Sequence, residues 1–244
     1  MDETFGEAGI RLISLDRSPR VGGMAIQDDG KILFVANTTT PPVGEGDYEY
    51  KSFVVRLNAD GSLDHSFAVD GIVEIEYFDY GLMNDLVIKP DHRIVIAGES
   101  GDDVYDTDLR LQCFMPNSEF DPAFGFQGIE LLSVPMTSLY GRAVEVDSHG
   151  NLVVAGSTYG STTESSQYYA GLICRFQPDG SLDPSFDGDG YFIDYAVVGY
   201  SSLALQSDGK PIVGASYYTS ALTRYGINGS LDLTFGERVY QAAS

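Results

Sequence analysis

The sequence predicts an all-β protein, a β-propeller of about four four-stranded blades, and three observations favour this fold class. One phrase, Asp-x-x-Phe, returns five times at a nearly constant period. A hairpin phrase follows each of the first four copies, and most units close with a strand that enters an Asn/Asp-Gly turn. Tandem repeats with about four strands each are typical of propeller blades.

The Asp-x-x-Phe phrase is an aromatic anchor that marks each unit. Its phenylalanines, spaced 62, 57, 62 and 49 residues apart, are Phe5, Phe67, Phe124, Phe186 and Phe235. The aspartates of the last four copies are Asp64, Asp121, Asp183 and Asp232. Blades packed side by side need the same plug at every contact, so we expect each phenylalanine to fill the seam between adjacent sheets. The expected organisation is one domain over residues 1–244, with units at about 5–66, 67–123, 124–185 and 186–235.

The hairpin phrase consists of two short aliphatic runs around a turn such as Asp29-Gly30 or Asp208-Gly209. Tight hairpins need positive φ, which glycine adopts without strain. A β-sandwich or β-solenoid would also contain many short strands, but neither predicts five copies of one anchor. Five anchors and four hairpins do not make a closed ring of four blades. Three alternatives stay open: residues 238–244 are a tail, or the first copy completes the last blade and the fifth is displaced, or two chains join as a homodimer into a larger ring.

An arginine precedes the closing turn in three units, at Arg56, Arg175 and Arg224. The second unit has Cys113 at this position and has also lost the turn glycine. Because arginine and turn change together, we expect each guanidinium to hydrogen-bond the turn or the following Leu-Asp carboxylate. This is a structural role.

Three phrases resemble the bacterial delta-sixty repeat. They are Asp-Gly-Lys in the hairpins, Arg-Leu-Asn-Ala-Asp-Gly-Ser-Leu-Asp at residues 56–64 and Asp-Pro-Ser-Phe at residues 183–186. The resemblance covers essentially the whole chain and implies a β-propeller without an assigned function. The second unit departs from the pattern at residues 116–121, where the Asp-Gly-Ser-Leu-Asp turn is replaced.

Charge and composition restrict the partners. Thirty-six acidic residues against 14 basic residues give a formal charge of -22, which repels phosphate backbones and anionic lipids, so we expect no nucleic-acid partner. Apolar runs are too short for a membrane-spanning helix, so we expect no membrane insertion. Charged residues interrupt the first twenty positions, which predicts no signal peptide and a cytoplasmic or mature secreted form. We expect Cys113 and Cys174 to be buried free thiols.

Catalytic and metal-binding motifs are sparse. The sequence contains no nucleophile elbow, zinc cysteine pair or phosphate-binding loop, and two of its three histidines, His92 and His149, fall in hairpin turns. We therefore expect no cofactor and no catalytic residue. Structural calcium at the Asp-rich turns is the alternative.

The candidate binding residues lie in segments that differ among the units, at 37–51, 99–108, 157–170 and 216–219. We interpret these segments as surface loops on one face of the ring. They are rich in tyrosine, which offers contact area and a polar tip, and in acids. The candidates are Tyr48, Tyr50, Asp102, Asp103, Tyr105, Tyr159, Tyr168, Tyr169, Tyr217 and Tyr218.

This pattern favours a non-enzymatic module that recognises a carbohydrate or a protein. Two alternatives stay open. One is a polysaccharide-acting hydrolase or lyase that uses carboxylates near the propeller axis. The other is a structural segment of a larger repeat array.

Overall fold

The chain folds as fifteen antiparallel strands in a computed structural model that describes residues 4–15, 19–41, 48–76, 80–103, 105–163, 166–217 and 219–236. The first eight strands are β1 (Arg20–Ile26), β2 (Ile32–Thr40), β3 (Glu49–Leu57), β4 (Ile72–Glu76), β5 (Tyr80–Ile88), β6 (Ile94–Asp103), β7 (Asp106–Phe114) and β8 (Ile129–Leu132). The others are β9 (Thr137–Val146), β10 (Leu152–Thr163), β11 (Ser166–Phe176), β12 (Tyr191–Asp194), β13 (Tyr200–Leu205), β14 (Pro211–Tyr217) and β15 (Thr219–Arg224).

The strands form four separate meanders, which we call blades 1 to 4. Blade 1 is β1-β2-β3-β4, blade 2 is β5-β6-β7-β8 and blade 3 is β9-β10-β11-β12. Blade 4 is β13-β14-β15, with three strands among the described residues. The first strand of each blade is its inner strand, and these strands pack in the order β1, β5, β9 and β13. The prediction of an all-β propeller with about four blades is confirmed.

Tight turns join the first two strands of every blade, as the hairpin phrase predicts. In blade 1, Gly30 adopts a φ of 83° and its N–H donates to the carbonyl of Gln27 at 2.9 Å. In blade 2, His92 takes the same place with a φ of 65°, and its N–H donates to the carbonyl of Lys89 at 2.8 Å. This left-handed conformation costs a residue with a Cβ about 1 kcal/mol, which the surrounding ladder offsets.

The core of the molecule lies in the seams between blades, and each seam has the same plug. Between blades 2 and 3, the fully buried ring of Phe124 packs against Gly180 of the next blade. A Cβ on Gly180 would lie 3.0 Å from the ring carbons, so glycine provides the space that the plug occupies. Phe67 and Phe186 are also fully buried, in the seams that precede and follow this one.

In blades 1 and 3 an arginine joins the plug to the next blade. Arg56 Nε donates to Asp64 Oδ2 at 2.7 Å, and Arg56 Nη1 donates to the carbonyl of Pro116, in the closing turn of blade 2, at 2.8 Å. The guanidinium carbon lies 4.5 Å from the centre of the Phe67 ring. Arg175 repeats the arrangement with its own aspartate and with the next blade. The arginine therefore joins turn, plug and neighbouring blade.

Blade 2 lacks this arginine and uses two other cations in its place. The buried Lys89 Nζ donates to the carbonyl of Pro178 in the next blade at 2.8 Å. Arg93 Nε lies 2.9 Å from Asp121 Oδ2, where the missing guanidinium would pair. Both cations come from the hairpin turn of the same blade. The thiols of Cys113 and Cys174 are buried and free.

Candidate functional site

A cleft of about 290 Å³ opens between blades 2 and 3, at the end of the sheets where the β6-β7 and β10-β11 hairpins turn back. We call it the blade 2–3 cleft. It is lined by Tyr105, Asp106, Met136, Thr137, Ser138, Tyr159, Gly160 and Gln167. The first two come from blade 2, Met136 comes from the connection between the blades, and the others come from blade 3. The site is therefore assembled across a seam.

Three tyrosines form a continuous aromatic strip along the cleft. Tyr159 and Tyr169 are cross-strand partners in the β10-β11 register, and their ring centroids lie 4.9 Å apart. Tyr105 of blade 2 lies 5.7 Å from Tyr159 across the seam. Paired positions on one face of a sheet bring aromatic rings into contact. Tyr105 and Tyr169 are more than half exposed, so the strip presents its apolar area to solvent.

Hydroxyl groups surround the strip and join its two walls. Thr137 Oγ1 lies 2.9 Å from the hydroxyl of Tyr168, and Ser138 Oγ donates to the carbonyl of Tyr105. Below them, Thr107 Oγ1 donates to the carbonyl of Leu139 at 3.1 Å, from blade 2 to blade 3. The last two bonds join strand β9 of blade 3 to the β6-β7 hairpin of blade 2. The cleft thus combines a rigid aromatic wall with hydroxyl donors and acceptors.

A buried carboxyl lies in the same seam, on β6. Glu99 is fully buried, and it accepts hydrogen bonds from Asn84 Nδ2 at 2.7 Å and from Arg142 Nη1 at 3.2 Å. Burial raises the pKa of Glu99 to about 7, although Arg142 and Asn84 act in the opposite direction. Burial also raises the pKa values of Tyr80 and Tyr140. This polar cluster changes its charge near neutral pH.

Replacing Glu99 by glutamine is expected to make the protein more stable at pH 8 than the wild type, with little effect at pH 5. Between pH 4.5 and about 7 the folded protein holds the Glu99 proton more tightly than the unfolded chain, so this residue's contribution to stability falls as pH rises. The gain at pH 8 should be about 3 kcal/mol, because the raised pKa already includes the opposing effects of Arg142 and Asn84. Thermal unfolding of both proteins at the two pH values measures it. The same pH dependence in both would contradict this assignment.

Two further carboxylates lie on the inner strands of blades 2 and 3. Asp85 accepts hydrogen bonds from the backbone N–H groups of Leu86 and Val144, both at 2.9 Å. Burial raises the pKa of Asp85, and burial together with the charge of Asp85 raises the pKa of Glu145. Because β5 and β9 pack side by side, this pair stands close to the propeller axis.

The structure brings some of the predicted tyrosines together and separates others. Tyr105 and Tyr159 line the cleft, and Tyr169 continues the aromatic strip beside it. Tyr168 stands at the edge of the cleft, with its ring 5.1 Å from that of Tyr195. The remaining described candidates lie elsewhere or point to solvent, namely Tyr48, Tyr50, Asp102 and Asp103.

Tyr50 belongs to a different seam, where its ring meets that of Tyr80 at 4.7 Å, and Tyr48 lies 6.4 Å from Tyr50. Asp102 and Asp103 are exposed at the end of β6. Tyr218 and the side chain of Tyr217 lie outside the described residues.

The interpretation of the variable segments as loops was wrong in large part. Strand β2 continues to Thr40, β6 to Asp103 and β10 to Thr163, so the segments form the ends of long hairpins. Threonine, serine and tyrosine suit a half-exposed pleated strand, and they extend the ladder where we expected it to stop.

Sequence reasoning missed the residues between blades that complete the cleft. Met136 has a φ of 60° and, with Thr137 and Ser138, belongs to the connection into blade 3 and the start of β9. The repeat pattern contains no signal for them because this connection differs in every unit. Within the described ranges, no cluster of three or more His, Cys, Asp or Glu side chains could hold a metal ion. The same ranges contain no helix of the length and apolarity needed to cross a membrane.

The four repeated blades and the shared plug define a β-propeller repeat protein. A family model described as "Domain of unknown function (DUF5122) beta-propeller" matches residues 27–67, 89–124, 150–186 and 206–235. The chain belongs to this family. The match supports a β-propeller repeat family, and the resemblance to the delta-sixty repeat in particular remains an expectation. No curated protein matches the chain.

Several solved structures share the architecture at low identity. MPT-4, a mannose phosphorylase from Leishmania mexicana, is 13% identical with a TM-score of 0.48, over 92% of this chain and 72% of that one. A xylan β-1,4-xylosidase from Bacillus halodurans is 14% identical with a TM-score of 0.48, over 88% of this chain and 44% of the xylosidase. An α-L-arabinofuranosidase from Lactobacillus brevis is 13% identical with a TM-score of 0.43, over 91% and 76%.

These three proteins are carbohydrate-active enzymes, and they correct one expectation from the sequence. We expected a chain that is not an enzyme, and that exclusion is overturned. At these identities and TM-scores the likeness concerns the fold, and no activity is transferred from it to this chain.

Proposed function

We propose that this protein binds a carbohydrate in the blade 2–3 cleft. The observation that carries the proposal is the aromatic strip of Tyr105, Tyr159 and Tyr169, which spans two blades and is exposed along one side. Sugar rings present a flat patch of C–H groups that packs on an aromatic face, and hydroxyl groups around that patch need partners such as Thr137 and Gln167.

The charge of the cleft narrows the class of carbohydrate. Asp106 lines the cleft, Asp102 and Asp103 lie on the same hairpin, and the whole chain carries a formal charge of -22. An acidic surface repels uronate-rich or sulfated polymers. A neutral polysaccharide is therefore the proposed ligand class.

Native-gel affinity electrophoresis tests this proposal. The gels contain neutral xylan, arabinan or mannan, or an anionic polymer such as polygalacturonate, and we expect a neutral polymer to retard the protein. Replacing Tyr159 by alanine should weaken this binding about tenfold or more, because Tyr159 is the centre of the strip. Replacing Tyr48, an exposed tyrosine outside the cleft, is the matched control and should leave the binding unchanged. Equal loss in both variants, or retardation only by the anionic polymer, would refute the proposal.

A second candidate function is cleavage of a glycosidic bond, and Asp85 and Glu145 are the observation that favours it. They form a carboxylate pair on neighbouring inner strands, and both have raised pKa values. Glycosidases use two carboxyl groups, one of which stays protonated near neutral pH to act as the acid. Glu145 would be the acid and Asp85, fixed by two backbone N–H groups, the second carboxylate.

Release of reducing ends from the same polysaccharides tests this second function. We expect a Glu145→Gln variant to lose turnover about a hundredfold or more while it still binds polymer in the gel. Turnover that survives this substitution, or is lost only when Tyr159 is replaced, would reject the pair as the catalytic groups.

A further inference from the structure

The described propeller leaves one unfinished seam at each end. Leu222 of blade 4 is the counterpart of Val54, Leu111 and Ile173, because each stands two residues before the arginine position of its unit. Those three side chains are fully buried against the next blade, whereas Leu222 is 68% exposed. Blade 4 therefore presents an apolar face like those that are buried in the seams, and no following blade covers it in the described part of the chain.

The opposite half of a seam lies on blade 1, where Ile13 and Leu15 of the N-terminal segment pack against the outer strands and leave the inner strand exposed. Met24 and Ile26 of the inner strand β1 are 65% and 71% exposed. The counterparts of Met24 in the next two blades are Leu86 and Val144, and both are buried against the preceding blade. Blade 1 therefore presents the half of a seam that blade 4 lacks. The two faces are of different kinds and complement one another.

The fastening arginine of blade 4 also lacks its acceptor in the next blade. Arg224 Nε pairs with Asp232 Oδ2 at 3.0 Å, as in the complete seams. In Arg56 and Arg175, Nη1 donates to a carbonyl of the following blade. In Arg224, Nη1 instead donates to Gln206 of its own blade at 3.2 Å. Beside it, Leu231, Leu233 and Phe235 line a groove of about 310 Å³. Arg224 and this groove therefore match the surfaces that bind a closing turn in the complete seams.

The closing turn of blade 1 already packs against an anchor phenylalanine, Phe5. A Cβ on Gly61 would lie 3.0 Å from the ring of Phe5, and the N–H of Gly6 donates to the carbonyl of Asp60 at 2.8 Å. The complete seam between blades 2 and 3 has the same bond at the same length. The sequence around this plug is Asp-x-Thr-Phe-Gly-Glu at residues 2–7, and the same phrase occurs at residues 232–237 around Phe235. Either phenylalanine therefore fits the seat on Gly61.

We propose that two copies of this chain associate head to tail, with blade 4 of one copy against blade 1 of the other. Phe235 of one copy replaces Phe5 in packing against Gly61 of the other copy. Arg224 Nη1 then donates to the closing turn that contains this glycine. Leu222 and Met24 are buried in the new seam. Closure within one chain would bring β13 against β1, but no packing comparable to that of the other inner strands joins these two in the described part of the chain. Two such seams complete one ring from two chains.

Light scattering and sedimentation of the full chain test this arrangement. We expect the wild type to have the mass of two chains. Leu222→Asp and Met24→Asp each place an unpaired carboxylate in both seams and should weaken association on the order of a hundredfold. Val69→Asp is the matched control, because Val69 is 87% exposed and lies outside both faces, and it should remain dimeric. All three positions are exposed in the single chain, so thermal unfolding at low concentration should confirm that each variant folds.

Mixing the two monomeric variants gives a sharper test. The Leu222→Asp chain keeps an intact blade 1 face and the Met24→Asp chain keeps an intact blade 4 face, so the mixture should form heterodimers through one intact seam. In addition, Phe5→Ala empties the seat on Gly61 and should tighten association severalfold. A monomeric wild type overturns the proposal, whether the chain stays open or closes on itself. A Met24→Asp protein that remains dimeric while Leu222→Asp does not would also overturn it, because that result indicates symmetric pairing of two blade 4 faces.

Discussion

Replacing Phe124 by alanine is expected to lower the free energy of unfolding by about 3–5 kcal/mol. The ring is fully buried between blades 2 and 3, in a hydrophobic cluster that also contains Leu111 and Leu172. Deleting it removes buried apolar area and leaves a cavity that two rigid sheets cannot close. Urea unfolding, followed by circular dichroism, measures the loss.

Phe126 provides the control for this substitution. It lies two residues further along the same turn, and its side chain is 78% exposed. Phe126→Ala should therefore change stability by less than about 0.5 kcal/mol. If the two alanine variants are equally stable, Phe124 is not the plug of its seam.

Replacing Arg56 by alanine is expected to lower the free energy of unfolding by about 3 kcal/mol. The guanidinium and the Asp64 carboxylate are both buried, and removing one partner leaves the other uncompensated. The acceptor carbonyl of Pro116 also loses its donor. Lys31 Nζ, 3.6 Å from Asp64, offsets part of the cost. The matched control is Arg224→Ala, with both substitutions made in the monomeric Leu222→Asp background. There the bond of Arg224 to a next blade is missing, so its loss should be about half as large.

The same variant should change the acid limb of the stability curve. Burial tends to raise the pKa of Asp64, but hydrogen bonds from Ser66 and the charge of Arg56 outweigh it and bring the pKa to about 2. The wild type therefore has this stabilisation fully above pH 4 and loses it as pH falls toward 2. In Arg56→Ala this dependence should flatten between pH 4 and pH 2, as measured by chemical unfolding across that range. An unchanged slope would show that Arg56 does not set the charge state of Asp64.

The repeat made the blades and their seams predictable from sequence. Each anchor phenylalanine recurs with its aspartate because every seam must be filled in the same way, so five copies of one phrase reveal the residue that fills it. Exceptions were harder to predict. In the second unit, Cys113 stands where other units have the arginine, and Lys89, 24 residues earlier in sequence, supplies the cation instead. Only the three-dimensional proximity of the two positions explains this replacement.

The candidate site was predictable only in part. The tyrosine content of the hairpins was visible in the sequence, but the contact between Tyr105 and Tyr159 depends on how blades 2 and 3 pack against each other. Glu99 lies in a segment that we interpreted as a loop, and its burial follows from the unexpected length of β6. The lining contributed by Met136 comes from a connection without any repeated pattern.

The bond from Lys89 to Pro178 shows that the acceptor carbonyl is the constant part of the hydrogen bond at each seam, whereas the donor side chain varies. Pro116, Pro178 and Ile227 offer their carbonyls at equivalent points of successive blades, and a guanidinium or an ammonium from the blade before donates to each of them. For this one bond, a repeat requires no particular cation from the repeat before it. Duplication of a whole repeat would therefore preserve this bond between blades.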